Sequence, residues 1–429
     1  MNGIAWRNTV VRQQFAWALF LALAASAFAL PVACSSEQQL APAEEAPLRK
    51  PATPAKSTAR KPQPPGRTLA SILEYVGAFR FPGDKVGAST FASGGTAIAF
   101  NPVNNSLFVI GHDRDQAVAE AKIPDTVVNS KKLSDLPTAK VLQPFVRILS
   151  RIPHFPLEGN VKIGGLLVVD GKLIGTAYVY YDGDGKAVKS HFRLDSLNLS
   201  SAKVEGLFQV GKLGGGFVGG YMTAIPNEWQ ADLGAPYMTG LSATNIHGRT
   251  SSGPAAFGFN PAQLSMKAAA PVTPYLYYPL KHQTLGATNS TNPVWNGTTE
   301  ITGVFFVPGS RSVLFFGSHG VGKYFYGEAA AANDPNRGGK GDHSVNGKYA
   351  YQVWAYNVDD FVAVKKGKKQ PWQIKPYDVW NLDFPHPEGS KHIGGVAFDP
   401  ATGRLYVSQM FAARIGYDYA PLIQVFKLR

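Results

Sequence analysis

Two series of residues recur at matched places along this 429-residue chain and carry side chains fit for chemistry. The first series stands just before a pair of small residues, usually two glycines: Ala92, Lys162, Phe217, Glu300 and His392. The second stands near the end of the next apolar run: His112, Tyr178, His247 or Arg249, His319 and Gln409. Positioned imidazoles and phenols transfer protons, so His319, His392 and Tyr178 are the expected acid–base groups. Lys162, Arg249, Glu300, His112 and Gln409 are the expected ligand-binding groups, with the two cations able to meet an anion. His112, His319, His392 and Gln409 also compose a ligand set that would suit a divalent metal such as Mn, Zn, Fe or Cu, so the expected cofactor is none or one such ion.

These residues can meet only if repeated elements bring them together. Five short phrases supply the repeat: Ala92-Ser-Gly-Gly, Lys162-Ile-Gly-Gly, Phe217-Val-Gly-Gly, Glu300-Ile-Thr-Gly and His392-Ile-Gly-Gly. Each leads into a short apolar run. A unit of this size cannot bury its own apolar face and must stack on neighbours. Strand-sized units in this number predict an all-β, five-bladed β-propeller over residues 71–429. In such a ring the residue before each glycine pair should rim the central channel. The second series should end on the same face, with His112 and His319 equivalent because each lies five residues past a leucine, Leu107 or Leu314.

Strands are expected at 96–100, 107–111, 117–123 and 139–149 in the first blade. Outer strands are expected near 204–210, 274–280 and 377–384. The last blade has only three strands before the C-terminus, so 72–81 is expected to pair with it and close the ring, removing an open edge. No sustained helical period follows residue 60. Two long insertions, 227–249 and 326–348, are of the length that is usually functional or disordered.

The first 33 residues read as an export signal, with Arg7 and Arg12 ahead of the apolar run 15–30. The single cysteine, Cys34, follows at once. Its setting resembles a bacterial lipoprotein signal in which Cys34 becomes the lipidated first residue. In that pattern Leu precedes the cysteine by three, whereas here Leu30 precedes it by four and Pro31 stands in that place. Ordinary cleavage after Ala27 or Ala29 is the alternative. Residues 34–70 are rich in Pro, Ala, Lys and Glu and read as a flexible tether. The expected location is the bacterial outer membrane or cell surface, or otherwise the periplasm or medium. Of the net charge of +13, about eight units remain beyond the signal and tether. A basic exported domain fits an acidic glycan or another anionic envelope component. Its basic residues are too scattered for nucleic acid, and Lys365-Lys366-Gly-Lys368-Lys369 reads as a solvated loop.

Other chemistries are disfavoured. Five-bladed glycosidases of the arabinanase and levansucrase type need three carboxylates around the channel, whereas the ring supplies only Glu300, with Asp113, Asp115 and Asp182 in nearby loops. A lyase on a uronate polymer needs a cation, a base and an acid, which Lys162 or Arg249, His and Tyr could supply. The His/His/His/Gln set resembles, in residue type alone, the metal ligands of oligogalacturonate lyases, which are seven-bladed propellers. Asp182-Gly-Asp184-Gly reads as a tight turn rather than a calcium loop. No nucleophile elbow or phosphate loop is present, and Cys34 lies outside the fold.

Phrases such as YVGAFRFP, NGTTEITGVFF, YAYQVWAYNVDDF and GGVAFDPATGRLYVSQ resemble an uncharacterised family of exported bacterial β-propeller-like proteins. The resemblance spans about residues 72–429 and implies the fold and export, but no reaction. Three functions remain in view: a binder of acidic polysaccharide at the channel mouth, a polysaccharide lyase using the same face, and an envelope interaction scaffold. Membrane attachment through the lipid alone has a direct check. Cys34→Ser should move the protein from the membrane to the soluble fraction, and retention in the membrane after signal removal would exclude the anchor.

Overall fold

The computed structural model describes residues 69–429 apart from 245, 387–390 and 416–417. The expected signal segment, the tether up to residue 68 and the lipidation at Cys34 lie outside the described residues. Among the described residues, twenty strands form five antiparallel four-stranded sheets, and two more form a separate hairpin.

Strand β1 (Leu73–Arg80) comes first and belongs to the last blade. Blade one is β2 (Ile98–Asn101), β3 (Ser106–Ile110), β4 (Val118–Lys122) and β5 (Lys140–Val146). Blade two is β6 (Val161–Val169), β7 (Lys172–Val179), β8 (Lys189–Leu194) and β9 (Val204–Gln209). Blade three is β10 (Met222–Ala224), β11 (Tyr237–Thr239), β12 (Ala256–Phe259) and β13 (Thr273–Leu276). Helices α1 (Gly215–Val218) and α2 (Asn227–Leu233) flank its first strand. Blade four is β14 (Glu300–Phe306), β15 (Ser312–Gly320), β18 (Tyr349–Asn357) and β19 (Asp378–Leu382). The hairpin β16 (Tyr324–Glu328) and β17 (Lys340–Ser344) is inserted in it, and helix α3 (Val358–Lys365) follows β18. Blade five is β20 (Ile393–Asp399), β21 (Arg404–Ile415), β22 (Asp418–Leu428) and β1.

The innermost strands neighbour one another in cyclic order: β2, β6, β10, β14, β20 and back to β2. The glycine pairs make that ring possible. A Cβ on Gly394 would lie 1.8 Å from the carbonyl oxygen of Gly95, and one on Gly164 would lie 2.1 Å from that of Gly219. Backbones this close leave no room for a side chain. In the fourth phrase Thr302 takes the first glycine's place, and its hydroxyl donates to the Ile393 carbonyl across the gap at 2.6 Å.

Five apolar clusters fill the five interfaces between blades. Each is built from the alternate, inward-facing residues of two facing sheets. Phe315, Trp354 and Tyr356 of blade four meet Tyr221, Trp229 and Tyr278 of blade three, all buried. Burying one such ring contributes about 2–3 kcal/mol. Helix α3 was not expected from periodicity. It starts on an Asn357 cap whose side chain accepts from the Asp359 amide, and it seats Phe361 on that cluster.

Closure follows the expected route. Strand β1 pairs with β22 from Leu73↔Leu428 to Arg80↔Leu422, with a bulge between Tyr75 and Gly77. It also bonds blade one, through the Ala78 amide to the Val128 carbonyl and the Arg80 amide to the Pro137 carbonyl. One strand therefore completes the last sheet and ties it to the first. Deleting residues 73–80 should lower the melting temperature by roughly 10 °C or more and promote aggregation. Deleting residues 35–66 should leave melting unchanged, and equal losses for both deletions would contradict this role.

Candidate functional site

The inner strands and the hairpin surround a cavity of about 1100 Å³ at one mouth of the channel. Four acid–base groupings line it. Lys162, the second residue of β6, pairs with Asp113 from the turn beyond β3. Glu300 opens β14 and lies between His392 (Nδ1, 3.0 Å) and Arg337 (Nη1, 3.2 Å). Asp342 of β17 accepts from the Tyr324 hydroxyl at 2.5 Å and lies 3.3 Å from His247 Nε2. Asp418, at the start of β22, accepts from Ser93 at 2.7 Å and faces His112 Nε2 at 3.6 Å.

These contacts fix charge and tautomers. Burial pushes the Glu300 carboxyl up, but the Arg337 guanidinium and the His392 imidazole outweigh it and hold it at about 2. Glu300 is therefore an anion at any ordinary pH and accepts the proton on His392 Nδ1. His392 Nε2 has no hydrogen-bond partner among the described residues. His112 is the reverse case: its Nδ1 accepts from the Arg114 amide at 3.1 Å, so its proton sits on Nε2, toward Asp418. Tyr178 lies opposite Lys162 across β6 and β7, with Tyr180 just beyond it. Burial first, and the negative charge of Glu300 after it, push Tyr180 up to about 12; burial, then Tyr180 and Glu300, push Tyr178 higher still. Both phenols stay protonated and can donate.

Lys162, Tyr178, Glu300, His392 and His112 therefore meet at the mouth as expected. Four other expected residues do not. His319 is buried in β15, with Nδ1 2.9 Å from the Thr299 hydroxyl, and burial lowers its imidazole to about 4. Its equivalence to His112 fails by register. Leu107 stands opposite Phe100, five residues past Gly95, whereas Leu314 stands opposite Phe305, two past Gly303. The same count from the leucine thus ends three residues further along blade four. Gln409 is fully buried and bonds the Tyr351 hydroxyl, the His386 carbonyl and the Gln424 amide. Arg249 is exposed and donates to the Asp182 and Gly183 carbonyls. Phe217 lies in α1, packed edge-on against Tyr277, because the third phrase enters its strand only at Met222.

The metal reading falls with His319 and Gln409. No group of three or more His, Cys, Asp or Glu suited to a metal occurs among the described residues. Asp182 caps a tight turn through the Lys186 amide, and Asp115 binds Arg147 and Ser89, so neither reaches the cavity. Carboxylates are nevertheless not scarce: Asp113, Glu300, Asp342 and Asp418 all line it. The objection to carboxylate-pair hydrolysis, that Glu300 stood nearly alone, loses its basis. Arg337 and Asp342 come from the 326–348 insertion, whose length was the only advance signal.

No family model matches the sequence, and neither does any curated protein. Among solved structures, the chain is similar to an exo-1,5-α-L-arabinanase from a bovine ruminal metagenomic library. Identity is 10%, coverage is 81% of this chain and 95% of that one, and the TM-score is 0.36. It is also similar to a thermostable family-43 glycoside hydrolase, at 11% identity, 81% and 96% coverage and a TM-score of 0.38. A glycosyl hydrolase from Bacteroides ovatus gives 11%, 85% and 92%, and 0.36. Likeness at this level carries no correspondence of residues.

The Glu300 carboxyl is depressed in the folded state, so its contribution is complete above about 4.5 and is lost as pH falls through about 2. Glu300→Gln should therefore cost about 2–3 kcal/mol in denaturant unfolding at neutral pH and far less near pH 2. A difference independent of pH would show that Arg337 and His392 do not hold the anion.

Proposed function

We propose that this protein binds an acidic polysaccharide in the channel-mouth cavity. The observation that carries the reading is the set of carboxylates paired with Lys162, Arg337 and the imidazoles of His112, His247 and His392 around one cavity. Sugar hydroxyls donate and accept at once, so alternating acceptors and donors suit them. Tyr178, Tyr180 and Phe411 add ring surface. The volume is at the upper end of small-molecule sites, which run to about 1000 Å³, and suits an oligosaccharide better than a single small metabolite.

The preference for an acidic sugar rests on two further cations. Arg114 and Lys340 line the cavity, are exposed, and make no ion pair among the described residues. The basic balance of the domain agrees in sign. Export and a lipid anchor at Cys34 would place this cavity at the cell envelope, where anionic glycans are met.

The same geometry supports catalysis as a second reading. His392 Nε2, oriented through Nδ1 by Glu300, is placed to act as a base. In a uronate polymer it would take the proton from the carbon beside the carboxylate. The C–H electrons form the ring double bond, the glycosidic C–O bond breaks, and a Tyr180 or Tyr178 phenol protonates the leaving oxygen. With four carboxylates present, hydrolysis is an equally open route, in which the base would act on water.

Calorimetry with matched uronate and neutral oligosaccharides tests the binding reading. The uronate form should bind more tightly. The double change Arg114→Ala and Lys340→Ala should reduce that affinity about tenfold, or about 1.4 kcal/mol, and leave neutral sugars unaffected. Lys366→Ala, at the exposed end of α3, should change nothing. Failure of both sugar classes to bind would end the carbohydrate reading, and equal binding would end the acidic one. Ultraviolet absorbance of the new double bond reports elimination, and reducing ends without it report hydrolysis. His392→Ala should abolish either product while binding survives.

A further inference from the structure

The β16–β17 hairpin forms one wall of the cavity and carries a buried polar cluster of its own. Its centre is Asp334, whose carboxylate is wholly buried. Oδ2 accepts from the Tyr349 hydroxyl at 2.6 Å and lies 3.1 Å from His343 Nδ1, while Oδ1 accepts from the Asn336 amide at 2.9 Å. Burial pushes this carboxyl up, but the Tyr349, Asn336 and His343 bonds outweigh it and hold it below the usual carboxylate range. Asp334 is an anion.

His343 is buried as well, and its second nitrogen, Nε2, lies 3.1 Å from the Gly339 carbonyl oxygen. Neither a carboxylate nor a peptide carbonyl can donate a hydrogen bond. A neutral imidazole has one N–H, so one of its two contacts would set lone pair against lone pair. A buried group left unsatisfied in that way costs about 1–3 kcal/mol. Only a ring with protons on both nitrogens satisfies Asp334 and Gly339 together.

Those partners are the two ends of the segment that carries Arg337. Between them, Arg337 lays its guanidinium 4.2 Å over the Tyr349 ring and reaches Glu300. The charged or titratable groups on the elements packed against His343 are Asp334 and Arg337 on this segment, Tyr349 on β18, Tyr324, Tyr326 and Glu328 on β16, and Lys340 and Asp342 on β17 itself.

We propose that His343 is held as a buried imidazolium that clasps the Asp334–Gly339 segment and thereby positions Arg337 on Glu300. His343 is a positioning residue: the wall of the cavity carrying Arg337 is set by a proton bound outside the cavity's own ion pairs. Losing that proton frees the Gly339 carbonyl and loosens the segment, so the grip of Arg337 on Glu300 weakens as the medium becomes more alkaline. The consequence for a ligand rests on the cavity reading above, but the charge of His343 does not.

The test uses the full chain labelled with ¹⁵N-histidine and needs no ligand. Long-range ¹H–¹⁵N correlation at about pH 6.5, assigned with His343→Asn, should show both His343 nitrogens as protonated. An unprotonated, imine-type nitrogen on His343 at that pH would overturn the proposal. Amide exchange then tests the coupling. In His343→Gln the amides of residues 335–342 should exchange about tenfold faster, with the five sheets unchanged. In the wild type, intrinsic-rate-corrected exchange of the same amides should rise between about pH 6 and about pH 9. Protection that stays constant in the wild type across that range would refute the positioning role even if the variant fails to fold. Failure of glycan binding would leave both readouts standing.

Discussion

The close approach of neighbouring inner strands at their glycine pairs is the constraint on which the rest depends. Where a Cβ on Gly394 would fall 1.8 Å from the Gly95 oxygen, the backbones themselves are in contact. That contact sets the channel radius and brings the starts of the inner strands together. Residues just before each pair then either enter one small cavity or are excluded from it by local structure. Lys162, Glu300 and His392 enter. Phe217 does not, because a short helix intervenes, and its ring packs between blades instead.

Inside the cavity the governing effect is charge compensation. Lys162 and Arg337 each have a carboxylate within ion-pair reach, as do His112, His247 and His392. In a half-buried setting these pairings are strong enough to override burial, as the low value at Glu300 shows. The result is an inventory of fixed donors and acceptors. Glu300 is a standing anion, His392 is oriented by it through Nδ1, and the tyrosines present protons. A ligand meets groups already oriented by partners behind them, which limits the ordering cost of binding.

The fold was largely legible in the sequence because its signals are local. The glycine phrases, the alternation of the strands and the three-strand ending of the last blade all lie within short windows. The site was only partly legible. Residues adjacent to the phrases, such as Lys162, Glu300 and His392, inherited correct places. Those located by counting along the second strand depended on where each hairpin turns, and a three-residue difference in register sent His319 into the core. Gln409 was misread because its partners, Tyr351 in blade four and Gln424 on the paired strand β22, close over it in a way no spacing shows. Arg337, Asp342 and Asp418 reach the cavity from a long hairpin and a late turn, and no spacing rule applies to them. Helix α3 had a local signal, an Asn ahead of two Asp, but at eight residues it is too short for a helical period to stand out.

The shared sheet of blade five also sets a timetable. Leu73 must wait for Leu428, so the first of the described strands to be synthesised gains its sheet partner only with the last. Until then β1 has only its few backbone bonds to blade one, around Val128 and Pro137, and no partner along its length. Four blades can form as the chain appears, but none of that progress joins the ends of the ring. Contacts separated by nearly the whole domain are slow to form, and an open edge in the interval invites pairing with another chain. For this architecture, assembly in a crowded compartment is therefore decided in its final step, with one strand edge left open until β22 has formed.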